Sequence, residues 1–276
     1  LSLKVRNESM ANMLGSLTQY AAHPIGGITR KVTLMALPKV HVSDLRIETD
    51  FDSLYRDAQL KTYLTVKNDG NTPKKGVRLK MSVDGLPVSI EQTLPEIPAG
   101  ASWSGWVTGQ FASPQKWDNE HPHLYSLKME LRDGEQTLEV VEKRFGFREV
   151  RIDGNRLLVN GIPVKLRGVC RHEVHPLTGR VLTPELVRRD VQLYRDANCN
   201  FIRTSHYPPC EEFIEACDEM GMFVEVEAPI CWIGHHGGGL DWGGTLNYRN
   251  PEYYTYVLQA NMEMIHFYRN HPSVIF

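Results

Sequence analysis

A chain of 276 residues with a formal net charge of −2 offers no electrostatic case for binding nucleic acid or an anionic membrane. Its hydrophobic share of 41% is ordinary for a globular protein, and no apolar run approaches the roughly 20 residues of a transmembrane helix. Five scattered cysteines without CxxC spacing indicate neither a zinc knuckle nor a disulfide framework.

The first 37 residues contain too little sequence to bury a core of their own. Residues 1–7 alternate in polarity as a strand does, and residues 28–36 predict a second strand after a glycine-containing loop. We therefore expect residues 1–37 to be the end of a β domain whose beginning lies outside this chain.

Residues 38–148 show an all-β pattern. Residues 61–66 and 125–131 alternate between apolar and polar side chains, and turn signals such as Asp84-Gly85 separate the runs. Seven short strands in about 110 residues predict an immunoglobulin-like β-sandwich. The predicted strands are residues 41–48, 59–67, 77–83, 88–94, 102–111, 123–131 and 137–147.

Residues 149–276 begin with a predicted hairpin and then alternate between strands and helices. Thr183 followed by Pro184 predicts a helix start, Gly221 a helix end, and the segment after Pro251 a helix with a buried apolar stripe. The predicted elements around them are a hairpin over residues 150–160, a turn at residues 161–163, and strands at residues 164–169, 200–204, 222–227 and 273–276.

This alternation predicts a parallel sheet with right-handed crossovers. Three complete units and a fourth strand are about half of an eight-fold barrel, which takes about 250 residues. We therefore expect the natural polypeptide to continue past residue 276.

Polar side chains collect at the carboxyl ends of the predicted parallel strands, where barrel active sites are built. Tryptophan suits stacking on a sugar ring, and histidine, arginine and glutamate suit its hydroxyl groups and neighbouring carboxylates. The predicted strand ends carry residues 170–176, 203–207 and 225–229, and the loop after the third strand contains Trp232 and His235.

Two other kinds of site are disfavoured. His172, Glu173 and His175 are one residue short of an HExxH zinc motif, and their segment leaves a strand rather than lying on a helix. The glycine run at residues 237–239 has no P-loop lysine. We therefore expect no metal site and no phosphate site.

Several segments resemble glycoside hydrolase family 2, which contains β-galactosidases, β-glucuronidases and β-mannosidases. The resemblance spans nearly the whole chain in the family's order. Its segments are GGITR (26–30), PHLY (122–125), FGFR (145–148), LRGVCRHE (166–173), NFIRTSHYP (200–208), CDEMGMFV (217–224) and NHPSVI (270–275).

The resemblance implies a multidomain β plus α/β fold. Residues 1–37 would be the last strands of a jelly-roll sugar-binding domain, residues 38–148 the immunoglobulin-like β-sandwich, and residues 149–276 the first half of a (β/α)8 TIM barrel. The family's chemistry is retaining hydrolysis by two glutamates whose carboxyl groups lie about 5–5.5 Å apart. Both family positions fall beyond residue 276, so we expect this chain alone to be inactive.

The resemblance also implies supporting roles for residues that are present. Arg203 would orient the nucleophile carboxylate through its guanidinium fork. His172 and His206 would bond sugar hydroxyls or nearby acids, and Glu227 occupies the place of a carboxylate at the third strand's end. The remaining two candidates, Trp232 and His235, rest on their position in the loop alone.

Magnesium-binding members of the family carry glutamate and histidine in the segment after the third strand. Here that segment places Trp232 and Gly234 at the corresponding positions. We therefore expect no cofactor, although related enzymes use magnesium.

The expected activity is that of an exo-β-glycosidase, of β-galactosidase type, acting on a carbohydrate with a terminal β-linked sugar. Three alternatives stay open: β-glucuronidase specificity, β-mannosidase specificity, and a non-catalytic carbohydrate-binding protein. The sequence leaves the compartment undetermined, and it is compatible with a homo-oligomeric full-length protein.

Overall fold

The computed structural model of the protein describes residues 2–5, 28, 30–228 and 251–276. The chain divides into two compact units. The sandwich unit contains Thr33–Lys165 and Arg269–Pro272, and the parallel-sheet unit contains Leu1–Val32, Leu166–Tyr268 and Ser273–Phe276. The predicted domain boundaries after residues 37 and 148 stay predictions.

The sandwich unit confirms the immunoglobulin-like β-sandwich. One sheet has the strand order β1-β2-β5 and the other the order β4-β3-β6-β7, and neighbouring strands are antiparallel. The strands are β1 (Val40–Phe51), β2 (Ala58–Asn68), β3 (Val77–Val83), β4 (Ser89–Thr93), β5 (Ser102–Phe111), β6 (Tyr125–Asp133) and β7 (Gln136–Phe145).

The core of this unit follows from strict alternation along the central strands. In β2, Leu60, Thr62 and Leu64 are fully buried, and the residues that alternate with them are partly exposed. Leu79 and Met81 of β3 belong to the same buried cluster. Because burying one such side chain stabilises a fold by about 1.5–3 kcal/mol, this cluster supplies much of the driving force for the unit.

The predicted strand over residues 28–36 is wrong for the described part of that range. Residues 31–38 have no regular secondary structure, and Leu34 is 86% exposed. Alternating polarity makes a strand only where a neighbouring strand accepts its backbone hydrogen bonds. Residues 2–5 likewise have no regular secondary structure. The jelly-roll origin of residues 1–37 stays a prediction.

The segment after β7 is a three-stranded meander of β8 (Val150–Asp153), β9 (Arg156–Val159) and β10 (Ile162–Pro163). The predicted turn at residues 161–163 is confirmed at Gly161, which has a positive φ of 78°, but it is one residue too late, because the turn comprises Asn160 and Gly161 and Ile162 already pairs with Val159. The predicted strand at residues 164–169 starts later, since the Val164 N–H still bonds the β9 carbonyl of Leu157 at 2.9 Å.

The parallel-sheet unit contains the parallel strands β11 (Gly168–Arg171), β12 (Phe201–Thr204) and β13 (Phe223–Val226), in that order. Residues 273–276, predicted as the start of a fourth strand, lie along β13 and join it through a parallel bridge between Val224 and Val274, and the Val224 N–H donates to the Ser273 carbonyl at 2.8 Å. This architecture confirms the partial TIM barrel. The described residues do not form a closed barrel.

The helices of this unit are α1 (Pro184–Asp196), α2 (Glu211–Met220) and α3 (Pro251–Tyr268). The Thr183 hydroxyl caps α1 by accepting from the Leu186 N–H at 3.3 Å, and Gly221 ends α2 with a positive φ of 72°. No helix in the described ranges combines the length and apolar character needed to cross a membrane.

The predicted buried stripe on α3 is wrong for most of the helix. Tyr254, Leu258 and Ile265 are 54%, 46% and 58% exposed, whereas Tyr268 is 6% exposed. The helix is held at its C-terminal end, where the Tyr268 hydroxyl donates to the Pro209 carbonyl at 2.6 Å.

Candidate active site at the carboxyl ends of the parallel strands

The parallel register lines up polar side chains on one face of the sheet. Cys170 of β11, Arg203 of β12 and Glu225 of β13 are direct neighbours across the strands. On the opposite face, Ile202 and Val224 are fully buried in the cluster formed with the helices. Because strand side chains alternate between faces, the apolar residues bury one face and leave the other for chemistry.

Arg203 is the centre of this polar row. Its Nη2 lies 2.8 Å from Oε2 of Glu227, and its Nε lies 3.5 Å from Oε1 of Glu225. Its Nη1 contacts the Cys170 thiol at 3.6 Å. Burial lowers the pKa of Arg203, but the Cys170 and Glu227 contacts outweigh it and raise that pKa. The guanidinium is therefore a permanent cation among acidic groups.

Glu227 joins Arg203 to His206 at the end of β13. The His206 Nδ1 lies 2.9 Å from Oε1 and 3.1 Å from Oε2 of this carboxylate. The Glu227 N–H donates to the Thr204 hydroxyl at 3.1 Å, which fixes the backbone of the strand end. The peptide bond between Ser205 and His206 is cis. The carboxylate is thus held from two sides by groups of the neighbouring strand.

His172 lies at the edge of this cluster, directly after β11. Its ring centroid is 5.5 Å from that of His206 and 6.4 Å from that of Tyr207. Burial, followed by the charges of His206 and Arg180, lowers the pKa of His172. A neutral imidazole at neutral pH can both donate to and accept from a hydroxyl group.

The structure brings four of the predicted site residues together: His172, Arg203, His206 and Glu227. The other two candidates, Trp232 and His235, lie outside the described residues. In residues 30–228 and 251–276, no group of three or more histidine, cysteine or acidic side chains is placed to hold a metal ion.

The predicted site residues left out two members of the polar row, Glu225 and Cys170, although both lie in the predicted strand-end segments. Because side chains two residues apart in a strand lie on the same face, the sequence alone could have placed Glu225 beside Glu227. The contact of Cys170 with the site follows only from the strand register, which pairs Cys170 with Arg203. The Ser205 hydroxyl and the Arg203 guanidinium lower the pKa of the Cys170 thiol.

The arrangement can bind and orient polar groups at the open edge of the sheet. Arg203 offers a planar fork suited to carboxylates, and two imidazoles lie next to it. Glu227 balances the charge of the guanidinium and sets its direction. Such a group of donors and acceptors fits a ligand rich in hydroxyl groups.

Comparison with known proteins covers both units. Residues 40–148 match the model of "Glycosyl hydrolases family 2", and residues 150–276 match that of "Glycosyl hydrolases family 2, TIM barrel domain". A β-galactosidase of Vibrio vulnificus is 33% identical over 259 residues, which are 91% of this chain and 24% of that protein.

Solved structures show the same likeness. A β-glucuronidase of Bacteroides uniformis is 30% identical with a TM-score of 0.73, covering 87% of this chain and 28% of that one. A β-glucuronidase of Ruminococcus gnavus in complex with D-glucaro 1,5-lactone is 28% identical with a TM-score of 0.69, covering 87% of this chain and 36% of that one.

The chain therefore spans roughly a quarter to a third of the length of these relatives. Within that span, the two family models follow each other in the order of the sandwich and the parallel sheet. Together with the relatives, they show that this chain belongs to glycosyl hydrolases family 2.

Proposed function

We propose that this chain is part of a retaining exo-β-glycosidase that removes a terminal β-linked sugar, with β-galactosides as the first candidate substrates. The observation that carries the proposal is the hydrogen-bonded set of Arg203, Glu227 and His206 at the carboxyl ends of parallel strands. Membership in the family and relatives named β-galactosidase support the reaction type.

In this proposal the four clustered residues support the reaction without transferring protons. Arg203 orients an acidic group of the active site, with Glu227 holding the guanidinium in place. His206 and His172 bond sugar hydroxyls at the edge of the sheet. Trp232 and His235 stay proposed loop contacts to the sugar.

Two glutamates beyond residue 276 would perform the chemistry. One carboxylate attacks the anomeric carbon while the other, as an acid, protonates the departing oxygen, which gives a covalent glycosyl-enzyme. The second group then deprotonates a water molecule, which attacks the anomeric carbon and releases the sugar with its configuration retained.

The 276-residue chain alone is expected to show no turnover, because both proposed glutamates are missing from it. A clean preparation incubated with nitrophenyl β-galactoside should release no more nitrophenol than buffer does. The complete protein, assayed in parallel, is the positive control. Hydrolysis by the 276-residue chain would place the catalytic groups inside it and contradict this prediction.

A second candidate activity is β-glucuronidase, which the likeness to solved β-glucuronidases favours. The test is to assay the complete protein against nitrophenyl β-galactoside, β-glucuronide and β-mannoside under identical conditions. The substrate with the highest kcat/KM identifies the sugar. Failure to hydrolyse any of them, combined with measurable binding of a sugar, would favour the non-catalytic carbohydrate-binding alternative.

We also propose that the activity needs no magnesium, because Trp232 and Gly234 stand where magnesium-binding members carry ligands. Dialysis of the complete protein against EDTA should leave kcat/KM within about twofold of its starting value, whereas loss of a structural metal costs far more. Activity that falls with EDTA and returns with magnesium would contradict the proposal.

A further inference from the structure

A buried carboxylate close to the candidate active site has no part in the roles proposed above. Glu173 directly follows His172 in the loop after β11, and its side chain is 3% exposed. Burying a carboxylate is costly unless cations or hydrogen-bond donors compensate its charge. The partners of Glu173 therefore indicate what it does.

Three groups compensate the Glu173 charge. Arg30 Nη2 lies 2.5 Å from Oε2, the Cys210 N–H donates to Oε1 at 2.8 Å, and Arg171 Nη1 lies 3.4 Å from Oε1. Arg171 is shared, because its Nη2 lies 2.8 Å from Oδ2 of Asp190. The closest cation of Glu173 is therefore Arg30, which lies 143 residues earlier in the chain.

The same two residues hold the loop after β12. The Glu173 N–H donates to the Tyr207 hydroxyl at 2.8 Å, and Arg30 Nη2 donates to the Pro208 carbonyl at 3.2 Å. With the Cys210 N–H bond to the carboxylate, three positions of this loop are tied to the pair. The loops that follow β11 and β12 are thereby joined through Arg30 and Glu173.

Each joined loop carries one histidine of the candidate site. His172 directly precedes Glu173, and His206 directly precedes Tyr207. The ring centroids of the two histidines are 5.5 Å apart. A contact that fixes both loops therefore also fixes the spacing of these rings.

We propose that Arg30 and Glu173 are a positioning pair that sets the geometry of His172 and His206 at the bound sugar. The inference rests on the proposed glycosidase function and extends it to a residue of the N-terminal segment. Neither side chain acts on the substrate; both act through the loops that carry the histidines.

The chain offers a matched control in the next residue. Lys31 is also a cation, and it forms an ion pair with Glu212 in the first turn of α2. Glu212 also contacts the Cys210 side chain, but among the described residues neither Lys31 nor Glu212 contacts Glu173. Arg30→Met and Lys31→Met thus each remove one cation of the same segment, but only Arg30→Met removes the closest cation of Glu173.

The first test measures kcat and KM of the complete protein, with active sites titrated by a covalent glycosidase inactivator. Arg30→Met and Glu173→Gln should each lower kcat/KM per titrated site by about 10-fold or more, because small misplacement of aligned groups is costly. Lys31→Met should stay within about twofold, and Arg30→Lys should recover part of the loss. The double variant Arg30→Met/Glu173→Gln should lose no more kcat/KM than the more impaired of its two single variants, because both substitutions break the same contact.

The second test needs no turnover and follows amide hydrogen exchange in peptides that contain Glu173 and Cys210. Both amides are donors in the network, so Arg30→Met should speed their exchange by about 10-fold, and Lys31→Met should leave it unchanged. A wild-type protein inactive on all three glycosides would defeat the proposed function, and the exchange result would still decide whether the pair fixes the loops.

The inference is overturned if Arg30→Met and Lys31→Met have equal kcat/KM per titrated site in an active protein. It is also overturned if Arg30→Met lowers only the fraction of folded protein, or if the exchange of the two amides is unchanged. A purely structural ion pair would give one of these results.

Discussion

Replacing Arg203 by methionine in the complete protein is expected to lower kcat/KM by about 100-fold or more. The guanidinium bonds Glu227 at 2.8 Å and lies 3.5 Å from Glu225. Methionine has a similar length without the charge, so two carboxylates would lose the cation that orients them. Initial rates on the preferred nitrophenyl glycoside measure the effect.

The control for this experiment is Arg188→Met, which removes an exposed ion pair between α1 and Glu219 of α2. Exposed pairs contribute little, so kcat/KM should change by less than about twofold. Arg203→Lys should recover only a small part of the activity, since an ammonium lacks the planar fork. Equal activities of Arg203→Met and Arg188→Met would contradict a role for Arg203 in the site.

A readout without turnover accompanies the same variant. Arg203, after the Ser205 hydroxyl, lowers the pKa of the Cys170 thiol. Removing the guanidinium should raise that pKa, leave less thiolate near pH 8, and slow the alkylation of Cys170 by iodoacetamide. Peptide mass spectrometry separates this cysteine from the others. A faster reaction in Arg203→Met would mean that the contact seen here is absent.

Replacing Gly168 by alanine is expected to disrupt the parallel sheet and destabilise the protein by more than about 3 kcal/mol. A Cβ at this position would lie 1.7 Å from the Phe201 carbonyl oxygen, which is backbone and cannot turn aside. Gly168 and Phe201 are partners in the β11–β12 ladder, so relief of the clash must separate the strands that carry Cys170 and Arg203. The temperature at which the complete protein unfolds measures the effect.

A matched glycine lies in the sandwich. Gly105→Ala makes the same chemical change within β5, but the new methyl group would meet the Trp103 side chain at 2.5 Å, and a side chain can rotate. We expect this variant to unfold within a few degrees of the wild type, because the clash costs about 1 kcal/mol. If Gly168→Ala unfolds at the same temperature as Gly105→Ala, the close approach of β11 and β12 is not what makes glycine necessary.

The sandwich was predicted well because its signals are local. Alternating polarity over residues 61–66 and 125–131 reports burial on one face, and the structure shows that burial in β2 and β6. The same signal failed at residues 28–36, since alternation says which face a strand would bury but not whether a partner strand is present. The start of β11 was misplaced for a similar reason: Val164 completes the preceding meander instead.

The candidate site was predicted in part. The strand-end positions and the family resemblance together pointed to His172, Arg203, His206 and Glu227, and those four lie together. Their partners were not predictable, because a side chain's neighbours across a sheet depend on register between segments that are about 20 to 30 residues apart in sequence. Cys170 beside Arg203 is an example.

The amino-acid order by itself determined the class of the two large segments after residue 37: an antiparallel sandwich followed by parallel strands with crossover helices, with polar groups at the strand ends. Periodicity and turn chemistry are properties of neighbouring residues, so they can be read without a fold. Only the tertiary structure decided which charges meet. Arg30 and Glu173 lie 143 residues apart, and their contact exists because folding buries the carboxylate where the Arg30 guanidinium can reach it.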